Sequence, residues 1–197
     1  SVVKRLAART ACAVLRQKVA QSVGPHQYGV GRSAGCELVH KSVTALVDDD
    51  RSRVVIAFGA VNAFGSLPRQ RVWEGVVSRM PELASTAGAW LGQTTTHVFW
   101  DDAGTAHPVE ATAGGDQGGP LSPLFFALGV AAALESINEG IRGLDSQARV
   151  FAYLDDIVVV VRPERAEAAH NLVRDTLEGH GLSLNGSKTG VWCRDAG

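Results

Sequence analysis

The chain has 197 residues, 45% hydrophobic and 20% charged, with a formal charge of −1, which suits a soluble globular protein with one core in a single domain or a domain plus a lobe. No stretch is read as approaching the roughly 20 apolar residues that cross a bilayer, and SVVKRLAART lacks the order of a secretory signal, so an intracellular location is expected and a membrane is not. The near-zero charge does not advertise nucleic-acid binding, whose usual mark is a basic surface.

Residues 2–23 carry Leu6, Ala11, Leu15 and Val19 at helical spacing, and the Gly- and Pro-bearing VGPHQYGVGRSAG ends that helix. Leu38, Val39, Val43, Leu46 and Val47 share one face of a second helix, closed by DDDRS in a solvated turn. RVVIAF reads as a buried strand. Pro68 suits a first helical turn, and Val72, Trp73, Val76 and Val77 stripe the helix that follows it to Pro81. Another helix ends at Trp90 and Leu91, and THVFW and AHPVEA flank DDAGT as a strand pair. Residues 122–139 form an apolar helix opened by Ser122 and Pro123. RVFAYL and DIVVVV make a tight hairpin that lifts Asp155 and Asp156 to its tip. Pro163 starts a helix through Ala166, Leu172, Val173 and Leu177, and GHG stops it before short strands LSLN and GVWC. Strands arriving singly or as hairpins between helices predict an α+β fold, an antiparallel sheet with helices on one face.

Other residue groups have plain readings. Cys12, Cys36 and Cys193 lack paired metal-ligand spacing and are expected as small buried side chains. Lys4, Arg5, Arg9, Arg16 and Lys18, and separately Arg69 and Arg71, read as solvated helix faces.

Three segments carry chemistry: AFGAVNAFGSLPRQRVW, a strand running through a turn into a helix; GGDQGGPLSPLFFALG, a Gly-rich turn entering an apolar helix; and YLDD at the hairpin. Glycine lets backbone approach a ligand closely, and helix-start amides favour anionic groups. In this order the three blocks resemble the palm of reverse transcriptases, most closely those of non-LTR retrotransposons, whose blocks read Asp-x-x-Asn-Ala-Phe, Gln-Gly-x-Pro-Leu-Ser-Pro and Tyr-x-Asp-Asp. PHQYGVGRSAG is similar to that family's finger segment, and GLSLNGSKTGVW to its block containing Leu-Asn-x-x-Lys-Thr, so the resemblance covers residues 25–193.

The resemblance implies a polymerase palm over residues 54–197 with partial helical fingers over 1–53 and no thumb. It implies RNA-directed DNA polymerisation on an RNA template and DNA primer with deoxynucleoside triphosphates, in the nucleus or cytoplasm if the element is eukaryotic. Two Mg²⁺ ions, or Mn²⁺, would be gathered by clustered acids, because two cations beside a triphosphate need anionic oxygen ligands. Asp155 and Asp156 would be catalytic metal ligands, Lys188 would protonate departing pyrophosphate, and Arg32 would touch the template. Phe64 would reject a ribose 2′-hydroxyl, Gln117 and Gly118 would contact the incoming nucleotide, and Tyr153 would pack near the primer end.

One family residue is missing. Counting back three from Asn62 places the first metal-binding Asp at position 59, which is Gly59. The expected consequence is a charge deficit and impaired catalysis. Asp48, Asp49, Asp50, Asp101, Asp102 and Asp116 are the acids available to substitute, none at the expected place. The alternative function is a non-catalytic palm that binds RNA or serves as a scaffold, and a phosphodiester hydrolase using the acidic pair is a third reading.

Overall fold

A computed structural model describes residues 2–115 and 118–194. In chain order the elements are α1 (Val2–Val14), α2 (Arg16–Ser22), α3 (Gly35–Asp49), β1 (Val54–Phe58), α4 (Ala63–Ser66), α5 (Arg69–Arg79), α6 (Ala84–Leu91), β2 (Thr95–Trp100), β3 (Ala106–Ala111), α7 (Ser122–Leu144), β4 (Arg149–Tyr153), β5 (Asp156–Val161), α8 (Ala166–Gly179) and β6 (Gly190–Cys193). The predicted α+β class holds, with a four-stranded antiparallel sheet in the order β4-β5-β1-β6 and a separate β2–β3 ribbon.

Both faces of that sheet take helices, which corrects the expectation of cover on one side. Val54, Ile56 and Phe58 of β1, Val150 and Ala152 of β4, and Ile157, Val159 and Val161 of β5 join the main core with α7 and α8. The opposite parity, Phe151, Val160 and Val55, packs with Tyr28 and with Val39, Val43, Leu46 and Val47 of α3. The cause is legible in β5, where VVVV abandons the alternation of a one-sided strand, so each face presents β-branched surface that water would otherwise meet. α3 covers only part of its face. Ala57, Tyr153 and Asp156 share that parity and are exposed, leaving the end of the sheet nearest the β4–β5 turn open.

Several local expectations are refined. The first helix is two, because Leu15 leaves helical geometry (φ −91°, ψ 2°), and Ala8 before the break and Val19 and Val23 after it all reach the core. LSLN contributes only a single bridge, Leu184 to Ala60. Leu38, Trp73 and Val77 face solvent. Cys36 is exposed, whereas Cys12 and Cys193 are half-buried and pack against the edge of the core. α7, at 23 residues, is long and apolar enough by composition to cross a membrane, contrary to the sequence reading of run lengths. Its apolarity serves the core: Phe125, Phe126, Leu128, Leu134, Ile137 and Ile141 are all buried against neighbouring elements.

A buried polar group ties the far end of the sheet. The Asp145 carboxylate accepts the Gln147 N–H at 3.0 Å and the Arg162 N–H at 3.2 Å, with the Arg162 and Arg53 guanidinium groups at 3.5 and 3.9 Å. Burial alone would raise its carboxyl, but the two amides and two guanidinium groups more than reverse that, holding it below the usual carboxylate range. Arg53 is equally buried and also donates to Gln147 Oε1 at 2.7 Å. Replacing Asp145 by Ala leaves the Gln147 and Arg162 amides without their acceptor while Arg53 keeps Asp50 at 3.5 Å, and a loss of about 1–3 kcal/mol is expected in urea melts at neutral pH. Because the folded pKa is depressed, the stabilisation is fully present above the ordinary Asp value of about 3.9 and is lost as pH falls through the folded value. The deficit of the Ala variant should therefore shrink in melts taken near pH 3.

Candidate active site

The β4–β5 hairpin turns on two residues, Leu154 and Asp155, closed by Tyr153 opposite Asp156. Asp155 thus sits in the loop and Asp156 opens β5. Leu154 adopts φ 57°, the left-handed region that a two-residue hairpin uses and that costs a residue with a Cβ roughly 1–2 kcal/mol. Asp155 is half-buried and Asp156 exposed, so the acidic apex opens to solvent. Lost hydration and the neighbouring Asp155 charge raise the Asp156 carboxyl above its ordinary value, and Lys188 partly offsets both.

The strand register brings the first block beside this apex. Phe58 pairs with Ile157, and one further step places Gly59 opposite Asp156. The Gly59 carbonyl accepts the Asn185 N–H at 2.7 Å, so the last block also meets here. A Cβ on Gly59 would stand 2.9 Å from Cβ and 3.2 Å from Cδ of Lys188. The lysine stem therefore lies over the α-carbon, where an aspartate side chain would emerge. Lys188 closes a short 3-10 turn whose start is capped by Asn185, its Oδ1 accepting the Ser187 N–H at 3.0 Å.

The second block is fastened to the first. Gly115 N–H donates to the Phe64 carbonyl at 3.0 Å and Gly114 N–H to that of Leu67 at 2.9 Å. Gly114 takes φ 65°, and a Cβ there would strike the Phe64 carbonyl oxygen, so glycine is required. Arg69, expected on a solvated face, is a tie instead: it donates to the carbonyls of Gly114 at 3.1 Å and Gln93 at 2.5 Å. Phe64 is half-buried and stacks on Phe126 with ring centres 4.5 Å apart, which fixes the ring against α7. Gly118 has φ 89° with open space around its α-carbon. Gln117 and Asp116 lie outside the described residues.

The finger segment flanks the turn from the other side. Tyr28 N–H donates to the Ala152 carbonyl at 2.7 Å and Ala152 N–H to that of His26 at 2.8 Å, so residues 26–28 add a short parallel edge to β4. Arg32 directs its guanidinium to the carbonyls of Gln27 and Pro25, both at 3.3 Å, and over the Tyr28 ring at 4.7 Å. Those bonds fold its own loop.

Asp155 and Asp156 offer hard oxygen donors at an open turn, a donor type that would suit one divalent cation. They do not fit two ions, since Gly59 brings no anion and its carbonyl is engaged by Asn185. Among the described residues no group of three or more His, Cys, Asp or Glu could hold a metal. Three of the acids considered as substitutes are engaged elsewhere: Asp48 with Arg194, Asp50 with Ser52 and Arg53, Asp101 with His107 at 2.8 Å. Sequence reading overlooked Arg69, Asn185 and Gln27 as organisers of the site. Asn185 had a signal, an Asn two residues before a Ser in a turn; Arg69 had none beyond its charge.

Comparison with known proteins gives the family and the fold. The sequence pattern of the family described as reverse transcriptase (RNA-dependent DNA polymerase) matches residues 2–195. The chain is 26% identical over 194 residues to the retrotransposable element SLACS 132 kDa protein of Trypanosoma brucei gambiense, covering 97% of this chain and 16% of that protein. The apo telomerase of Candida tropicalis superposes with a TM-score of 0.71 at 10% identity, over 98% of this chain and 37% of that one. The telomerase of Candida albicans, solved with a TWJ fragment of telomeric RNA, superposes at 0.69 with 14% identity, over 93% and 34%. At such identities the telomerase likeness shows the fold alone, a polymerase palm with fingers, and this chain spans only a minor part of each relative. The resemblance to non-LTR retrotransposon enzymes is thereby borne out, and the chain belongs to the reverse transcriptase (RNA-dependent DNA polymerase) family.

Proposed function

We propose that this chain is the palm and part of the fingers of an RNA-directed DNA polymerase, acting on an RNA template, a DNA primer and deoxynucleoside triphosphates, and impaired at Gly59. The observation that carries the reading is the convergence of three separate blocks at one open sheet end: the Asp155–Asp156 turn, Gly59 opposite it, and Lys188 over Gly59. Asp155 and Asp156 would hold one Mg²⁺ or Mn²⁺, which would supply charge neutralisation at the reacting phosphate. The exposed Tyr153, on the same sheet face as Asp156, offers a surface for the primer end, and Phe64, braced by Phe126, offers a rigid ring beside the sugar. Gln117 and Gly118 belong, by the family resemblance, to the block that contacts the incoming nucleotide, and Arg32 shapes the finger loop that would meet the template. Lys188 carries a proton that can pass to departing pyrophosphate.

A second reading has a specific observation behind it: with the Lys188 stem on the α-carbon of residue 59 and its charge near Asp156, a tethered cation already offsets the acidic turn. Such a palm would bind RNA without catalysis. The test is primer extension on an RNA template by the protein carrying its flanking finger and thumb segments. Metal-dependent extension that disappears in Asp155→Asn supports the polymerase reading. Tight RNA binding at moderate salt with no extension, even after Gly59→Asp, would replace it with the binding reading.

A further inference from the structure

The acidic turn is held from outside the hairpin by one buried side chain. Gln27 is fully buried, and its Oε1 accepts the Leu154 N–H at 2.7 Å and the Gly29 N–H at 2.9 Å. Its Nε2 donates to the Leu154 carbonyl at 3.2 Å. One carboxamide thus satisfies both backbone groups of the first loop residue, which the strand ladder, closed by Tyr153 and Asp156, leaves without partners. Leu154 is the residue forced into the left-handed region at φ 57°. The clamp is pressed close: a Cβ on Gly29 would come within 2.7 Å of Leu154 Cγ and 2.8 Å of its nitrogen, so only glycine lets this segment lie against the turn.

A leucine that disfavours φ 57° stays there only if its surroundings over-determine it. Every neighbouring choice does so: the buried carboxamide, the Gly29 approach, and the backbone pairing of His26 and Tyr28 with Ala152. We infer that Gln27 is a positioning residue, locking the Leu154 peptide so that Asp155 and Asp156 present their carboxylates at a fixed spacing to a divalent cation. The cation-presenting part rests on the polymerase reading; the clamp itself does not.

Amide hydrogen exchange by NMR tests the clamp, with Mn²⁺ line broadening at Asp155 and Asp156 as the second readout. In the native chain the Leu154 amide should exchange as slowly as the sheet amide of Val159. In Gln27→Met, which keeps length but removes all three bonds, Leu154 should exchange about a hundredfold faster while Val159 stays protected. Mn²⁺ affinity at the turn should fall about tenfold, and adding Leu154→Gly should recover most of it, because glycine adopts that φ unaided. Loss of mere packing would not be recovered that way. Rapid Leu154 exchange in the native chain, or Gln27→Met leaving it slow, overturns the inference, and so does an affinity loss that Leu154→Gly does not reverse. Should Gln27→Met unfold the chain, the native exchange rate still decides. If Mn²⁺ broadens nothing at the native turn, the cation-presenting role and the polymerase reading fall while slow Leu154 exchange upholds the clamp.

Discussion

Gly59→Asp, in the protein carrying its flanking finger and thumb segments, is expected to raise primer extension on an RNA template about a thousandfold. On the proposed polymerase reading the new carboxylate would face Asp156 across the β1–β5 pair and give two cations a shared ligand. Charge stabilisation of this kind is worth several kcal/mol, and each 1.36 kcal/mol is tenfold in rate. The new Cβ must displace the Lys188 stem, at 2.9 Å from its Cβ, by a few tenths of an ångström. Lys188 is exposed and ends a short turn, so that shift is small against the gain, and its ammonium is drawn towards the new carboxylate. Gly59→Ala makes the same steric demand and adds no charge, so it should leave extension at the native level, and Gly59→Asn should do the same. Equal gains from Ala and Asp would show that backbone stiffness at residue 59, not missing charge, limits the reaction.

The parts legible in the sequence were those whose signal is periodic or local. β-branched runs gave β1, β4 and β5, Gly and Pro punctuation bounded the helices, and the motif order gave the blocks that meet at the hairpin. Cover on the second sheet face was present in VVVV yet ambiguous, since a continuous apolar run does not say which helix will lie on which side. The roles of Gln27 and Arg69 were not legible at all. Each bonds to backbone atoms far along the chain, Leu154 and Gly114, and backbone acceptors leave no trace in residue identity. The position of Lys188 over Gly59 is likewise a tertiary fact. From the sequence, one residue looked like a lost acid and the other like an independent proton donor, whereas folding places one on top of the other.

Gly75→Val is expected to abolish cooperative folding, and Gly75→Ala to lose about 2–4 kcal/mol, roughly the range of a badly overpacked core site. Gly75 lies in α5 where it crosses α7, and an added Cβ would fall on the Leu128 carbonyl oxygen, 2.6 Å from its carbon and 3.1 Å from the Gly129 nitrogen. Those are backbone atoms of a hydrogen-bonded helix, so no rotamer change relieves the clash. Gly129 answers from the other side, where a Cβ would meet Val72 Cα at 3.2 Å, so the two helices touch through paired glycines. Relief requires the axes to part by about an ångström from a normal separation of roughly 8–10 Å, opening the core around the buried Val72, Val76 and Leu128. Helix propensity alone would favour Ala over Gly by about 1 kcal/mol, so the sign of the change isolates the steric effect. Gly143, in the last turn of α7 with nothing within 4 Å of a would-be Cβ, supplies the control, and Gly143→Ala should stabilise by up to about 1 kcal/mol. Urea melts of the three variants read the difference directly, and a Gly75→Ala protein as stable as the native one would mean that α5 and α7 do not cross at this point.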